Sequence, residues 1–276
     1  MNEELLMNVY YGIKNRTKIS LLTGFKNLDS IIQLQQKGAL ILIGGRPCMG
    51  KTAFVLSIIT NIAPKQEKIL LFTSEYCKEN TIKRLLLLTS GIELKRFYNN
   101  KLDNDDYNKI EKSIEEIKNW NLKFFDDAAI EYNEIAKCII EQKPKFVFIE
   151  DIDSMKLISN KLDNKSIFFH LQKLAKENEC IIFATTPLTW DTEEREDHRP
   201  KLSDLVEFKN IKYSDVVLLL YRDAYYGVSR SKKDKSPNSE IIIAKNRYGS
   251  IGSAGIEFDT NNVKFYEKES PFYFDF

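Results

Sequence analysis

The chain has 276 residues, with 41 Lys and Arg against 40 Asp and Glu and a formal net charge of +1. That length accommodates one large α/β domain with a full core, and the charge balance gives no global pull toward nucleic acid or membrane, so any DNA contact must rest on local patches. No apolar run reaches the roughly 20 residues needed to span a bilayer; Met1–Leu6 carries two Glu and no basic residue, unlike a secretory signal; and Cys48, Cys77, Cys138 and Cys180 lack metal-ligand or disulfide-framework spacing, which suits reduced cytoplasmic thiols.

Leu5, Leu6, Val9, Tyr10 and Ile13 fall on one helical stripe, which predicts a helix over residues 3–14, weakened near its end by Gly12. The first core strand is predicted over 39–44 and a helix over Ala53 to Ile62. Between them, residues 45–52 read Gly-Arg-Pro-Cys-Met-Gly-Lys-Thr and match G-x-x-x-x-G-K-[ST] at every fixed position. Such a strand–loop–helix turn aims backbone N–H groups and a helix N-terminus at phosphate oxygens. In that pattern Gly45, Arg46, Cys48, Met49, Gly50, Lys51 and Thr52 form the nucleotide loop, with Lys51 reaching the β- and γ-phosphates and Thr52 ligating Mg²⁺. Cys48, inside that loop, is a candidate for oxidation.

Further strands are expected at 68–73, 122–125, 146–149, 180–184 and 215–221, and helices at 79–89, 105–120, 132–142 and 166–177. Alternating helices and near-continuous apolar strands predict a parallel sheet covered on both faces. Strands at 240–244, 254–258 and 263–266 then follow one another, which predicts an antiparallel C-terminal edge. Segments 153–165, 189–212 and 227–239 are expected to be long polar loops.

A phosphate loop needs an acid at a neighbouring strand end for the metal. Phe146-Val147-Phe148-Ile149 is followed by Glu150 and Asp151; register favours Glu150, with Asp151 close behind. Hydrolysis also needs a group that orients or deprotonates water, and Glu75, just past the second strand, is the best candidate. A helix N-terminal carboxylate is the plainer account of Glu75. Lys245 and Arg247, two apart on a strand-like segment, point the same way. They fit either a solvated basic turn or an arginine-finger pair reaching a phosphate across a subunit boundary.

Several segments together resemble the ATPase domain of DnaB-type hexameric replicative helicases. That family's G-x-R-P-x-M-G-K-T-A loop fits residues 45–53, and its T-G-F-x-x-L-D segment fits Thr23 to Asp29. Ser74-Glu75 fits its catalytic acid loosely, Arg199 to Leu205 its R-P-x-x-S-D-L, Tyr221-Arg222-Asp223 its Y-R-D, and Lys245 to Gly249 its K-x-R-x-G finger. The resemblance runs from about residue 20 to 267. It implies a RecA-like P-loop NTPase fold: a linker helix over 1–19 and the ATPase domain over 20–276, without the N-terminal collar domain of full-length DnaB. It also implies a hexameric ring using ATP and Mg²⁺ at subunit interfaces, with Lys245 and Arg247 acting in trans, on single-stranded DNA and beside other replication proteins.

Departures from the family pattern are specific. The family follows its magnesium strand with Asp-Tyr-Leu-Gln, where this chain has Glu150-Asp151-Ile152-Asp153. Its Ser-Gln-Leu-Asn-Arg, whose Gln senses the γ-phosphate, is here Thr186-Pro187-Leu188-Thr189-Trp190. Its Arg-Glu-Ser-Gly strand grip is here Val206-Glu207-Phe208-Lys209, leaving Glu207 and Lys209 as DNA-binding candidates with Phe208 available for stacking. Other basic residues that could meet DNA are Lys156, Lys161 and Lys165 in one loop, and Arg195, Arg199, Lys201 and Lys212 in another that is equally rich in acids. The expected function is an ATP-dependent DNA helicase or translocase; the alternative is a nucleotide-switched interaction or loading protein of the same fold.

Overall fold

Valine, isoleucine, leucine and phenylalanine runs without interruption must be covered on both faces, and they form the centre of a sheet with nine strands among the described residues. The computed structural model describes residues 22–34, 38–73, 78–99, 101–126, 131–154, 166–206, 208–227 and 238–267, with Leu6, Met7, Tyr10, Tyr11 and Lys14 nearer the N-terminus. In chain order the elements are α1 (Lys26–Ile32), β1 (Ala39–Gly45), α2 (Lys51–Ile62), β2 (Ile69–Phe72), α3 (Lys78–Ser90), α4 (Leu94–Tyr98), α5 (Asn104–Lys118) and β3 (Leu122–Phe125). Then come α6 (Tyr132–Gln142), β4 (Phe146–Ile149), α7 (Ile167–Glu177), β5 (Ile181–Pro187), β6 (Val216–Arg222), β7 (Ser239–Asn246), β8 (Gly252–Asp259) and β9 (Lys264–Tyr266).

The strand order is β3-β2-β4-β5-β1-β6-β7-β8-β9. The first six run parallel, and β7, β8 and β9 extend the sheet antiparallel, as the sequence predicts. Alternation divides the core in two. Ile41, Ile43, Phe146, Phe148 and Phe183 share one face with α2, while Leu40, Leu42, Val147, Ile149 and Ile182 face α6 and α7.

Local chemistry sets the helix starts. Asp103 accepts the Asp106 N–H at 3.0 Å and Asp106 accepts the Asp103 N–H at 3.2 Å, a reciprocal cap that opens α5. Before α1, the Asp29 carboxylate gathers the N–H groups of Leu22, Thr23 and Gly24 and the Thr23 hydroxyl, which folds Thr23-Gly24-Phe25 into a tight turn.

From residue 39 on, the predicted strands and helices recur with ends shifted by at most three residues, while α1 and α4 were not expected. The segment 189–212 is not an open loop. It carries 3₁₀ turns at Trp190–Thr192, Leu202–Asp204 and Phe208–Tyr213 and a bridge between Leu188 and Leu205. Leu6, Met7, Tyr10, Tyr11 and Lys14 are helical, and their apolar members are exposed; Leu5, Val9 and Ile13 lie outside the described residues.

Candidate nucleotide site

β1 ends in Gly44-Gly45 and the chain turns into α2 at Lys51. Gly50 makes that turn possible with φ +103, and a Cβ there would sit 3.1 Å from the Phe265 ring. Among the described residues, Gly50 provides no side-chain cap to α2, whose N-terminal end favours an anion. Lys51 Nζ donates to the Gly45 carbonyl at 3.0 Å, across the mouth of the loop. Thr52 is half-buried in the first turn of α2. Uncapped amides, a lysine over the loop and a hydroxyl in the first turn fit a phosphate chain with its divalent cation.

Not every loop residue faces the cradle. Met49 is buried in the core, so its side chain serves packing. The Arg46 side chain turns away: Nε donates to Glu193 Oε1 at 2.9 Å, and one terminal nitrogen donates to the carbonyls of Leu188 at 3.1 Å and Thr189 at 3.3 Å. These two residues therefore contribute backbone alone to any phosphate contact. Cys48 is exposed with φ +60.

Alternation separates the two acids after β4. Phe146 and Phe148 lie on the α2 face, so the next residue of that parity is Glu150, which is 3% exposed. Asp151 breaks the strand with φ +59, and its N–H donates to Thr185 Oγ1 at 2.8 Å. Register places Glu150 beyond Ile149, which pairs with Ala184 of β5, itself level with Leu42 of β1. Glu150 thus stands two strands from the phosphate loop on the loop's own face. Glu75 lies outside the described residues.

Lys245 and Arg247 do come together, but far from Lys51. Lys245 is level with Val217, which is level with Leu42, and a register shift at Val217/Leu218 leaves Ala244 as the extra residue. Lys245 thereby points to the α7 face, where Nζ donates to the carbonyls of Ile211 at 2.5 Å and Ser214 at 2.6 Å. Arg247 donates to the Lys212 carbonyl and sits 3.7 Å from the buried Asp215 carboxylate. Burial, and then Arg247, push the Lys245 ammonium down to about 8, against the attraction of Asp215. Both cations rest on the turn at Phe208–Tyr213; Lys245 is half-buried there, while Arg247 remains exposed to solvent.

Arg195 and Arg199, among the basic residues that could meet DNA, are both engaged within the chain. Arg195 pairs with the buried Asp204 and donates to the Arg199 carbonyl at 2.6 Å. Arg199 makes a two-pronged pair with Glu240 at 2.9 and 2.7 Å. Lys209 and Phe208 are exposed, while Glu207 and the lysines at 156, 161 and 165 lie outside the described residues.

Two contacts were missed by sequence reasoning. Arg222 lies 3.7 Å over the Phe258 ring and donates to the carbonyls of Cys48 and Met49 at 3.4 Å, buttressing the loop from β6. Trp190 covers Arg46 at 3.9 Å. The Y-R-D segment pointed at Arg222 without a role; nothing local in the sequence joins residue 46 to residue 190.

Comparison with known proteins agrees with this architecture. A probable replicative DNA helicase of Trieres chinensis is 34% identical over 278 residues, covering 96% of this chain and 61% of that protein. The replicative DNA helicase DnaB of Geobacillus stearothermophilus is 31% identical, covering 91% of this chain and 57% of that protein. The chain therefore spans about three-fifths of the length of these relatives. Among solved structures, an isolated ATPase domain superimposes with TM-score 0.84 at 29% identity, covering 97% of this chain and 98% of that one. A DnaB-like replicative helicase, described with its interactions with primase, gives 0.82 at 28% identity, covering 98% of this chain and 67% of that one. Residues 20–267 match the DnaB-like helicase C terminal domain, and the chain belongs to that family.

Proposed function

We propose that the protein is an ATP-dependent DNA helicase that moves along single-stranded DNA as a hexameric ring with ATP sites between subunits. The observation that carries this reading is the separation of the two halves of the site. The phosphate loop lies at the C-terminal end of β1, whereas Arg247 lies beside β1's other end and Lys245, level with Leu42 at mid-strand, points to the opposite face. A second copy is needed to bring the halves together.

In this reading the loop amides and Lys51 bind the β- and γ-phosphates, and Thr52 and Glu150 hold Mg²⁺, which supplies charge neutralisation at the transferring phosphoryl group. Glu150 is preferred to Asp151 on strand parity. Glu75 orients the attacking water, and Lys245 and Arg247 stabilise developing charge on the neighbour's nucleotide. The linker helix over 1–19 docks on an adjacent subunit; exposed Leu6, Met7, Tyr10 and Tyr11 support that. A single strand meets the surface around Phe208 and Lys209, with Glu207 beside them. The replicative-helicase names of its relatives favour unwinding over the nucleotide-switched loading role. Primase, named with one solved neighbour, is the first replication protein to test as a partner. No helix among the described residues is long and apolar enough to cross a membrane, and free Cys48, Cys138 and Cys180 suit a cytoplasmic setting. The deciding experiment measures ATP hydrolysis with and without single-stranded DNA beside unwinding of a forked duplex. Turnover that ignores DNA, with no duplex opened, would overturn the helicase reading.

A further inference from the structure

Arg46 belongs to the phosphate loop by position but to the segment after β5 by contact. Its side chain is almost fully buried, and its hydrogen bonds end on Leu188, Thr189 and Glu193. The Trp190 ring centre lies 3.9 Å from the guanidinium carbon, while the residue as a whole stays 72% exposed. Glu193 ties in a third element, because Tyr226, in the turn after β6, donates its hydroxyl to the same Oε1 at 3.2 Å. One carboxylate oxygen therefore joins the phosphate loop, the segment after β5 and the turn after β6.

The segment that Arg46 grips is stiff. Thr189 N donates to Asp204 O at 2.7 Å, Leu188 bridges Leu205, and Arg195 pairs with Asp204 across the fold-back. Phe208 N donates to Leu205 O at 3.0 Å, so the stiff unit runs directly into the turn that displays Phe208 and Lys209. Packed and hydrogen-bonded groups thus connect Arg46 to that turn without a break in the contacts. Pro187, standing where similar helicases place a γ-phosphate-sensing Gln, offers no side-chain donor. Trp190 stands where they have Arg, and an Arg there would face a second guanidinium in place of the stacking ring.

We propose that Glu193 and Trp190 are positioning residues: through Arg46 they transmit the state of the phosphate loop to the Phe208–Lys209 surface, by a route that does not use residue 187. This rests on the reading of residues 45–52 as the nucleotide site. The chain has two Trp, of which Trp120 is buried, so Trp190 serves as a built-in reporter. The test titrates the full chain with Mg²⁺ and a non-hydrolysable ATP analogue, following tryptophan emission and, separately, the heat of binding. The expected result is an emission change in the wild type that disappears in Trp190→Phe and in Glu193→Gln, with the binding heat kept in both. Glu193→Gln should also reduce the stimulation of hydrolysis by single-stranded DNA at least about fivefold, the low end of coupling between sites, with turnover in the absence of DNA unchanged. Binding heat with a silent Trp190, or an emission change that survives in Glu193→Gln, would overturn this inference alone. Absence of binding heat in the wild type would overturn the nucleotide site and this inference with it.

Discussion

Mixing two inactive variants should regenerate hydrolysis. Take Lys51→Ala, which removes the loop's ammonium, and Arg247→Ala, which removes a guanidinium at the other end of the domain. Arg247 N donates to Asp215 O at 3.0 Å, and Asp215 N to Leu40 O at 2.8 Å, which fixes residue 247 beside the start of β1. From Leu40 to Gly45 the strand rises about 16 Å at roughly 3.3 Å per residue. An extended arginine spans less than half of that, and Lys245 sets out toward the opposite face. Arg247 of one copy is therefore out of reach of that copy's own phosphate loop. In a ring of head-to-tail contacts each site needs a sound loop from one copy and a sound finger from the next. Random equimolar mixing supplies that combination at about a quarter of the interfaces, so about a quarter of wild-type turnover is the ceiling when sites fire independently. The assay follows phosphate release from each variant alone and from mixtures shown by labelled subunits to have exchanged. Mixtures as dead as their parents, after proven exchange, would refute the reasoning.

Lys51→Ala alone should abolish turnover and weaken ATP binding, measured by phosphate release and nucleotide titration; wild-type rates would remove the loop from the mechanism. Glu150→Gln should raise the Mg²⁺ concentration needed for half-maximal rate far more than Asp151→Asn, because strand parity puts Glu150 on the loop's face. Lys245, held down to about 8, should lose its charge as pH rises through that value, so turnover should decline above about pH 8 in the wild type and hold in Lys245→Arg. The same depression means the unfolded chain binds more protons between about 8 and the usual 10.5, so this residue's contribution to stability should rise with pH across that window in denaturant titrations. Asp204→Ala strands Arg195 beside a buried gap and should cost about 3 kcal/mol, lowering the thermal midpoint by several degrees.

The parallel core and the phosphate loop were legible because each is written in a contiguous stretch. Apolar runs give the strands, and the loop pattern fixes its own flanks from Ala39 to Ile62. Glu150 was legible up to a choice between neighbours, since strand alternation resolves the pair only once the parity of Phe146 and Phe148 is known. What escaped was chemistry between distant residues. The basic residues at 195 and 199 look like a surface patch until Asp204 and Glu240 are seen to meet them. The direction of Lys245 depends on a one-residue bulge that composition does not mark. Arg46 could not be matched to Glu193 and Trp190 from either neighbourhood alone. Helix α1, only seven residues long, has no local side-chain cap, its first two amides donating instead to the distant Glu267 carboxylate, and it gives little periodicity to read.

Strands β8 and β9 carry a consequence for the order in which the protein is made. Their Phe258 and Phe265 rings stand behind Gly50, where an added Cβ would meet them at 3.1 to 3.7 Å, and Phe265 N donates to the Ser57 hydroxyl on α2 at 3.0 Å. The glycine-rich turn is synthesised some two hundred residues before the aromatic wall it leans on. As the chain grows from its N-terminus, the loop emerges early and stays without its support until β8 and β9 have followed it. Capacity to bind nucleotide should therefore be acquired late in synthesis, and a ribosome-bound chain stalled before residue 258 should emerge with its central strands but without a competent loop.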